Sequence, residues 1–183
     1  MKIGDRLRNP PPFGRVPGRG LAVTALPHAL LLLAAVIGLG FAFAKLEVAI
    51  EGPHGWATSL PTWRIGGRWW NRWLFGGREM TGYHAWALPT VLGLIHLPAV
   101  ADWSWSWPGE ARLLACYVLF WIAEDIWWFL LNPAWGLARF SPDHATWHPR
   151  WVLGLPLEYW TCGIPALGVF VWTFQSSPGI HLI

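Results

Sequence analysis

The sequence predicts an all-α integral membrane protein, a bundle of about four transmembrane helices with an interfacial amphipathic segment. Three observations point there. Hydrophobic residues make up 54% of the 183 and charged residues only 13%, against roughly 25% charged in an ordinary soluble domain. The apolar residues gather in runs of about 20, the length at which a helix crosses a hydrocarbon core ~30 Å thick. Trp is abundant, 17 copies against three Tyr, and Trp collects where membrane meets water, because its ring is apolar and its N–H is polar.

Residues 1–20 form a basic, Pro-rich tail (Arg6, Arg8, Pro10-Pro11-Pro12, Arg15, Pro17, Arg19) that has too few apolar groups to bury a core. The first span is expected at 21–44, around Leu30-Leu31-Leu32-Leu33. Ala42-Phe43-Ala44 resembles a signal-peptide cleavage site. The apolar run is longer than a signal h-region, however, and this favours an uncleaved anchor. Lys2, Arg6, Arg8, Arg15 and Arg19 all precede that run, which places the N-terminus in the cytoplasm and the chain in a bacterial inner membrane. Counted over every loop, the basic residues are nearly even on the two sides, so the tail carries the orientation.

Residues 45–82 are a long connection. Within it Arg64, Arg68 and Arg72 recur every four residues, with Ile65, Trp69 and Trp73 on a neighbouring face. A basic, Trp-bearing amphipathic segment of this kind lies in the headgroup plane, and Gly66-Gly67 and Gly76-Gly77 keep it short or broken. The second span, 83–101, is interrupted by Pro89 and Pro98. A short turn from Asp102 to Gly109 leads to the third, 111–131, which Asn132-Pro133 ends, since proline disfavours helix in the residue before it. A loop at 136–150 precedes the fourth span at 151–174, with Pro156 and Pro165 inside it. The alternative is a helix that begins at Pro156 and places Glu158 in its first turn. Residues 177–183 are a short tail, so the membrane domain is 21–176.

The net charge of +3 comes with no finger, aromatic–basic sheet motif or long basic helix, so nucleic acid is not an expected partner and anionic lipid headgroups are. Cys116 and Cys162 belong to no CxxC pair. GxSxG, Walker A, dinucleotide-binding, CxxCH and HExxH patterns are all missing from the sequence.

Glu124-Asp125 stands in an otherwise apolar third span, roughly 10 Å of helix before Asn132. A carboxylate at that depth costs free energy unless it is paired, protonated or wetted, and so marks a candidate site. The competing explanation is a structural salt bridge or helix–helix hydrogen bond. The short loop between spans three and four brings further groups to the same face: Tyr83 and His84 at the start of span two, Asp143, His144 and His148 in the loop, and Glu158 and Tyr159 beyond it. Ser141-Pro142 reads as a helix start, and one helical turn from there would set His144 and His148 on one side at i and i+4, a spacing that can grip a metal ion. Mixed His and carboxylate ligands suit iron, zinc or manganese. The expected ligands are Glu124, His144 and His148, with Glu158, Asp125 and His84 as second choices or outer-shell partners. His28 and His96 could ligate haem but more often such residues bond a neighbouring helix.

Two functions remain open on the sequence. One is a small membrane protein whose carboxylate/histidine site near one face binds a divalent transition metal for catalysis or relays protons. The other is a non-catalytic accessory or assembly subunit of a larger respiratory or photosynthetic complex, with other membrane subunits or a second copy of the chain as partners.

Overall fold

The computed structural model describes residues 20–74, 77–101 and 105–176. The basic tail up to residue 19, Gly76, the Asp102-Trp103-Ser104 stretch and the 177–183 tail lie outside the described residues, as do the side chains of Arg72 and Trp73. The fold is helical, with five α-helices among the described residues: α1 (Gly20–Glu51), α2 (Trp69–Leu74), α3 (Gly82–Ala101), α4 (Trp107–Leu131) and α5 (Ile164–Ser176). Two short antiparallel pairs, β1 (Arg64–Ile65) with β2 (Met80–Thr81) and β3 (Trp151–Val152) with β4 (Leu155–Pro156), brace the connections.

Among the described residues, three helical stretches are long and apolar enough to cross a membrane: Leu26–Glu51, Gly82–Ala101 and Trp107–Leu131. The first helix continues seven residues beyond Ala44, through Lys45, Glu47 and Glu51. Lys45 is exposed while Glu47 and Glu51 are buried, so the charged residues that look like the end of a span sit on opposite sides of a continuing helix. α4 begins at Trp107, earlier than the expected 111. Ser106 Oγ accepts the Gly109 N–H at 3.1 Å, Pro108 lies in the first turn, and Glu110 stands at the helix N-terminus, where the dipole favours an acid. Asn132 caps its other end, just before Pro133.

The final helix starts later than residue 151. Leu153 and Gly154 turn the β3–β4 hairpin with positive φ (52° and 78°), a pair of left-handed residues that suits a tight hairpin. The chain becomes helical only after Pro156, and a π-helical turn at Tyr159–Gly163 leads directly into α5. Glu158 therefore lies in the first turn of that run. The basic stretch after Trp63 also divides. Arg64 and Ile65 are on a strand and only Trp69–Leu74 is helical, because Gly67 takes a left-handed φ of 69° between them. Trp63 and Trp69 are exposed.

The helices pack around α4. Phe120, Ala115 and Cys116 of α4 meet Val36 of α1, Val91 of α3 and Ala166 and Phe170 of α5 in one core. A second core surrounds Ala44, Trp128 and Phe129, where the Phe129 and Trp147 rings stack at 5.6 Å and Trp135 meets Trp147 at 4.9 Å. α1 and α4 come close at Gly40, where an added Cβ would stand 3.1 Å from the Glu124 backbone nitrogen and 3.3 Å from Phe120 O. Small residues at such contacts let helices approach where water supplies no driving force. Asn132 Nδ2–H donates to Gly52 O at 2.8 Å, and Trp135 Nε1–H donates to Pro53 O at 3.0 Å, so the end of α1 is tied to the end of α4.

Gly40→Leu is expected to force α1 away from α4 and to destabilise the fold by about 1–3 kcal/mol, the usual cost of overpacking. Thermal unfolding of detergent-purified protein measures this; Gly38→Leu, at a position with open space around it, is expected to leave the transition in place.

Candidate functional site

Four element ends meet at one end of the bundle: the C-terminal turns of α1 and α4, the N-terminal turn of α3 and the start of the 157–176 helical run. Between them lies a cavity of about 780 Å³. Its acidic side is built by Glu47 and Glu51, one turn apart on α1, and by Glu124 on α4, with His84 of α3 opposite. Ligand atoms of Glu47, Glu51 and His84 all lie within 4.8 Å of one another. The four side chains are nearly closed to solvent, at 7%, 4%, 7% and 5% exposure for Glu47, Glu51, His84 and Glu124.

Glu51 and His84 are held from behind. The Ala57 N–H donates to Glu51 Oε1 and the Ser59 hydroxyl to Glu51 O, so the chain leaving α1 folds back over its own acid. Asn71, itself buried, donates to Ile65 O at 3.0 Å and to Arg78 O at 2.9 Å, closing the 64–81 loop. His84 Nδ1 faces Thr81 Oγ1 at 2.7 Å and the imidazole stacks on Trp56 at 4.0 Å. With Nδ1 so engaged, Nε2 is the nitrogen left for the carboxylates, an arrangement that orients a ligating histidine. Glu124 lies within hydrogen-bonding reach of Glu47, while its Oε1 is buried and has no hydrogen-bond partner.

Among the described residues, no Lys or Arg forms an ion pair with Glu47, Glu51 or Glu124. Burying even one unpaired carboxylate costs several kcal/mol. Three in contact need either protons or a cation.

On the other side of the cavity the charges are already matched. His148 Nε2 meets Asp125 Oδ2 at 3.1 Å and Nδ1 meets Glu158 Oε1 at 2.5 Å, while the Tyr159 hydroxyl also donates to Asp125. Burial works against charge on His148, but the hydrogen bonds to Asp125 and Glu158 outweigh it and push the imidazole up to about 9. Arg78 lies with its guanidinium 3.7 Å from the Trp56 ring centroid. Its burial pulls it down to about 9, against the opposing pull of Asp125 and Glu158.

The residues expected from sequence thus divide. His84 and Glu124 stand at the buried acids. His148, Asp125 and Glu158 form a separate array in which both imidazole nitrogens of His148 are engaged. His144 is exposed, its Nδ1 3.0 Å from Ser141 Oγ, and it faces a neighbouring recess with His54. Residues 141–148 run as consecutive turns and not as a helix, so His144 and His148 do not share a side. His96 pairs with Glu110 at 3.1 Å, near the other end of α4. The sequence does not point to Glu47 and Glu51, because Lys45 looks like the end of the first span. Their i, i+4 spacing on a continuing helix is the signal that could have found them.

No family model matches this chain, and no curated protein or solved structure is significantly similar to it.

His148 is held above its ordinary value of 6.5 in the fold. The stability it contributes through Asp125 and Glu158 is therefore complete below pH 6.5 and is lost as pH rises through about 9. The thermal transition is expected to fall between pH 7 and pH 10 in the native protein, and to fall less over that window in His148→Gln, as followed by circular dichroism.

Proposed function

We propose that the chain is a small bacterial inner-membrane protein of four spans, N-terminus in the cytoplasm, that holds one divalent transition-metal ion at the membrane face through Glu47, Glu51 and His84. The observation that carries this reading is the approach of three buried ligand groups to within 4.8 Å, with no Lys or Arg among the described residues in an ion pair with the acids. Glu124 completes the acidic wall, and its unpartnered Oε1 is a fourth donor for the ion or for a molecule bound to it. The long helical run from residue 157 supplies the fourth span, and the Trp-bearing 63–74 stretch lies along the headgroups.

Two carboxylates, one imidazole and a nearby third carboxylate suit iron, manganese or zinc better than calcium, which prefers oxygen alone, or copper(I), which prefers sulfur. Such an ion supplies Lewis-acid activation of water or oxygen when coordination positions remain open. The chain's own groups do the rest: Thr81 and Trp56 fix the imidazole, the Ala57 N–H orients Glu51, and Glu124 stands beside Glu47 as a proton carrier. The His148–Asp125–Glu158 array is a fixed polar wall, not part of the ligand set. A relay of protons through the same carboxyl groups is the reading that survives if no ion binds.

Metal analysis of full-length protein purified in detergent, then reloaded with Fe(II), Mn(II) or Zn(II), tests the assignment. Stoichiometric metal is expected in the native protein. Glu47→Gln, Glu51→Gln and His84→Ala are each expected to weaken it by at least about 10–100-fold, the loss that even outer-shell changes produce, while His144→Ala retains it. A native protein that stays metal-free after reloading, or variants that hold metal as well as it does, overturns the assignment.

A further inference from the structure

The cavity does not end at the acids. Along α4 its lining continues from Glu124 past Ile122 and Val118 to Tyr117, roughly 10 Å further into the apolar part of the helix. On α3 it passes from His84 to Leu88. α3 and α5 each pack on α4 but make no extended contact with one another, so this arm is a cleft with α4 as its floor. Thr161 and Cys162, both exposed, stand at its edge on the π-helical turn. That turn is pressed against α4, since a Cβ on Gly163 would meet Ile122 Cδ1 at 2.8 Å. In a bilayer such a cleft opens sideways to lipid chains.

Charge restricts what can occupy the polar end. Five acids line the cavity (Glu47, Glu51, Glu124, Asp125 and Glu158) against three basic groups, Arg78, Arg150 and the doubly held His148. The deficit is two charges, which one divalent ion or two protons cancel. A ligand carrying a further charge would then be uncompensated at the buried end. Size bears on the head group too, because about 780 Å³ is the volume of a site for one drug-sized molecule.

We propose that this cavity binds a single-chain lipid with an uncharged, oxygen-bearing head group, its head beside Glu124 and His84 and its chain leaving between α3 and the 157–176 helix. This deepens the metal reading and rests on it for the chemistry at the head group, but the cleft and the charge balance stand equally if protons replace the ion.

The test uses full-length protein in phosphatidylcholine nanodiscs with a diazirine-bearing hexadecanol, photolysed and mapped by peptide mass spectrometry. Adducts are expected on the peptides spanning 117–122 and 157–163. Unlabelled hexadecanol is expected to suppress them at a concentration at least about tenfold lower than hexadecanoate or a hexadecyl trimethylammonium salt requires, a tenfold difference being ~1.4 kcal/mol of binding free energy. Val118→Trp, which fills the arm, is expected to abolish the labelling while bound metal is unchanged; Leu88→Phe serves in its place if Val118→Trp does not fold. Adducts spread evenly over all lipid-facing helices, or equal competition by the charged chains, overturn the proposal. Cleft labelling in protein that holds no metal supports the lipid site and removes the metal reading alone. Stoichiometric metal without cleft labelling does the reverse.

Discussion

The polar end of this molecule depends on one close contact, the approach of α1 to α4 at Gly40. With no Cβ between the two backbones, α1 runs along α4 closely enough to set Glu47 and Glu51 beside Glu124. The Asn132–Gly52 hydrogen bond holds the two helix ends together one layer further out. The buried charge is therefore a consequence of helix packing, and the loop from 52 to 81 folds over it through hydrogen bonds to Glu51, Arg78 and Thr81.

The two halves of the cavity solve the same electrostatic problem differently. Asp125 and Glu158 share the two nitrogens of one imidazole, and the Arg78 guanidinium acts on both of them as a second positive charge. Glu47, Glu51 and Glu124 have none in reach among the described residues. A low-dielectric setting magnifies the difference, so a bound cation or a proton is drawn to one side of the cavity and not to the other. The aromatic side chains sharpen this further. Trp56, Trp128 and Trp147 line the cavity and limit water at the acids, and Arg78 rests on Trp56 where a freely solvated guanidinium would face outward.

Much of the architecture is legible in the sequence, because helices of this length and apolarity follow from composition and spacing. Asn132-Pro133 marks a helix end plainly, and the convergence of His84, Glu124 and the 143–158 groups at one end follows from short connections. Three features are not legible for physical reasons. A helix that continues past Lys45 looks the same as one that ends there, because an exposed Lys beside buried Glu averages to a polar stretch. A four-residue spacing in a loop says nothing of whether the turn is helical, and Ser141 to His148 is not. The hairpin around Leu153-Gly154 depends on left-handed backbone at a leucine, which residue preferences alone disfavour. The buried cluster of Glu47, Glu51 and His84 shares only His84 with the residues expected from sequence, with Glu124 beside it; its two acids come from the stretch read as the start of the long connection.

The site draws on residues far apart in the chain, with Glu47 and Glu51 near the beginning, His84 next and Glu124 later. Chains of this kind are made and inserted from the N-terminus onward. During synthesis the two α1 acids must therefore wait at the membrane surface, wet and within reach of any passing cation, until α3 and α4 arrive to enclose them. Dehydration of the acids coincides with completion of the bundle. If the proposed ion binds, it can enter before the last helices dock, and the order of synthesis then acts on which cation is enclosed.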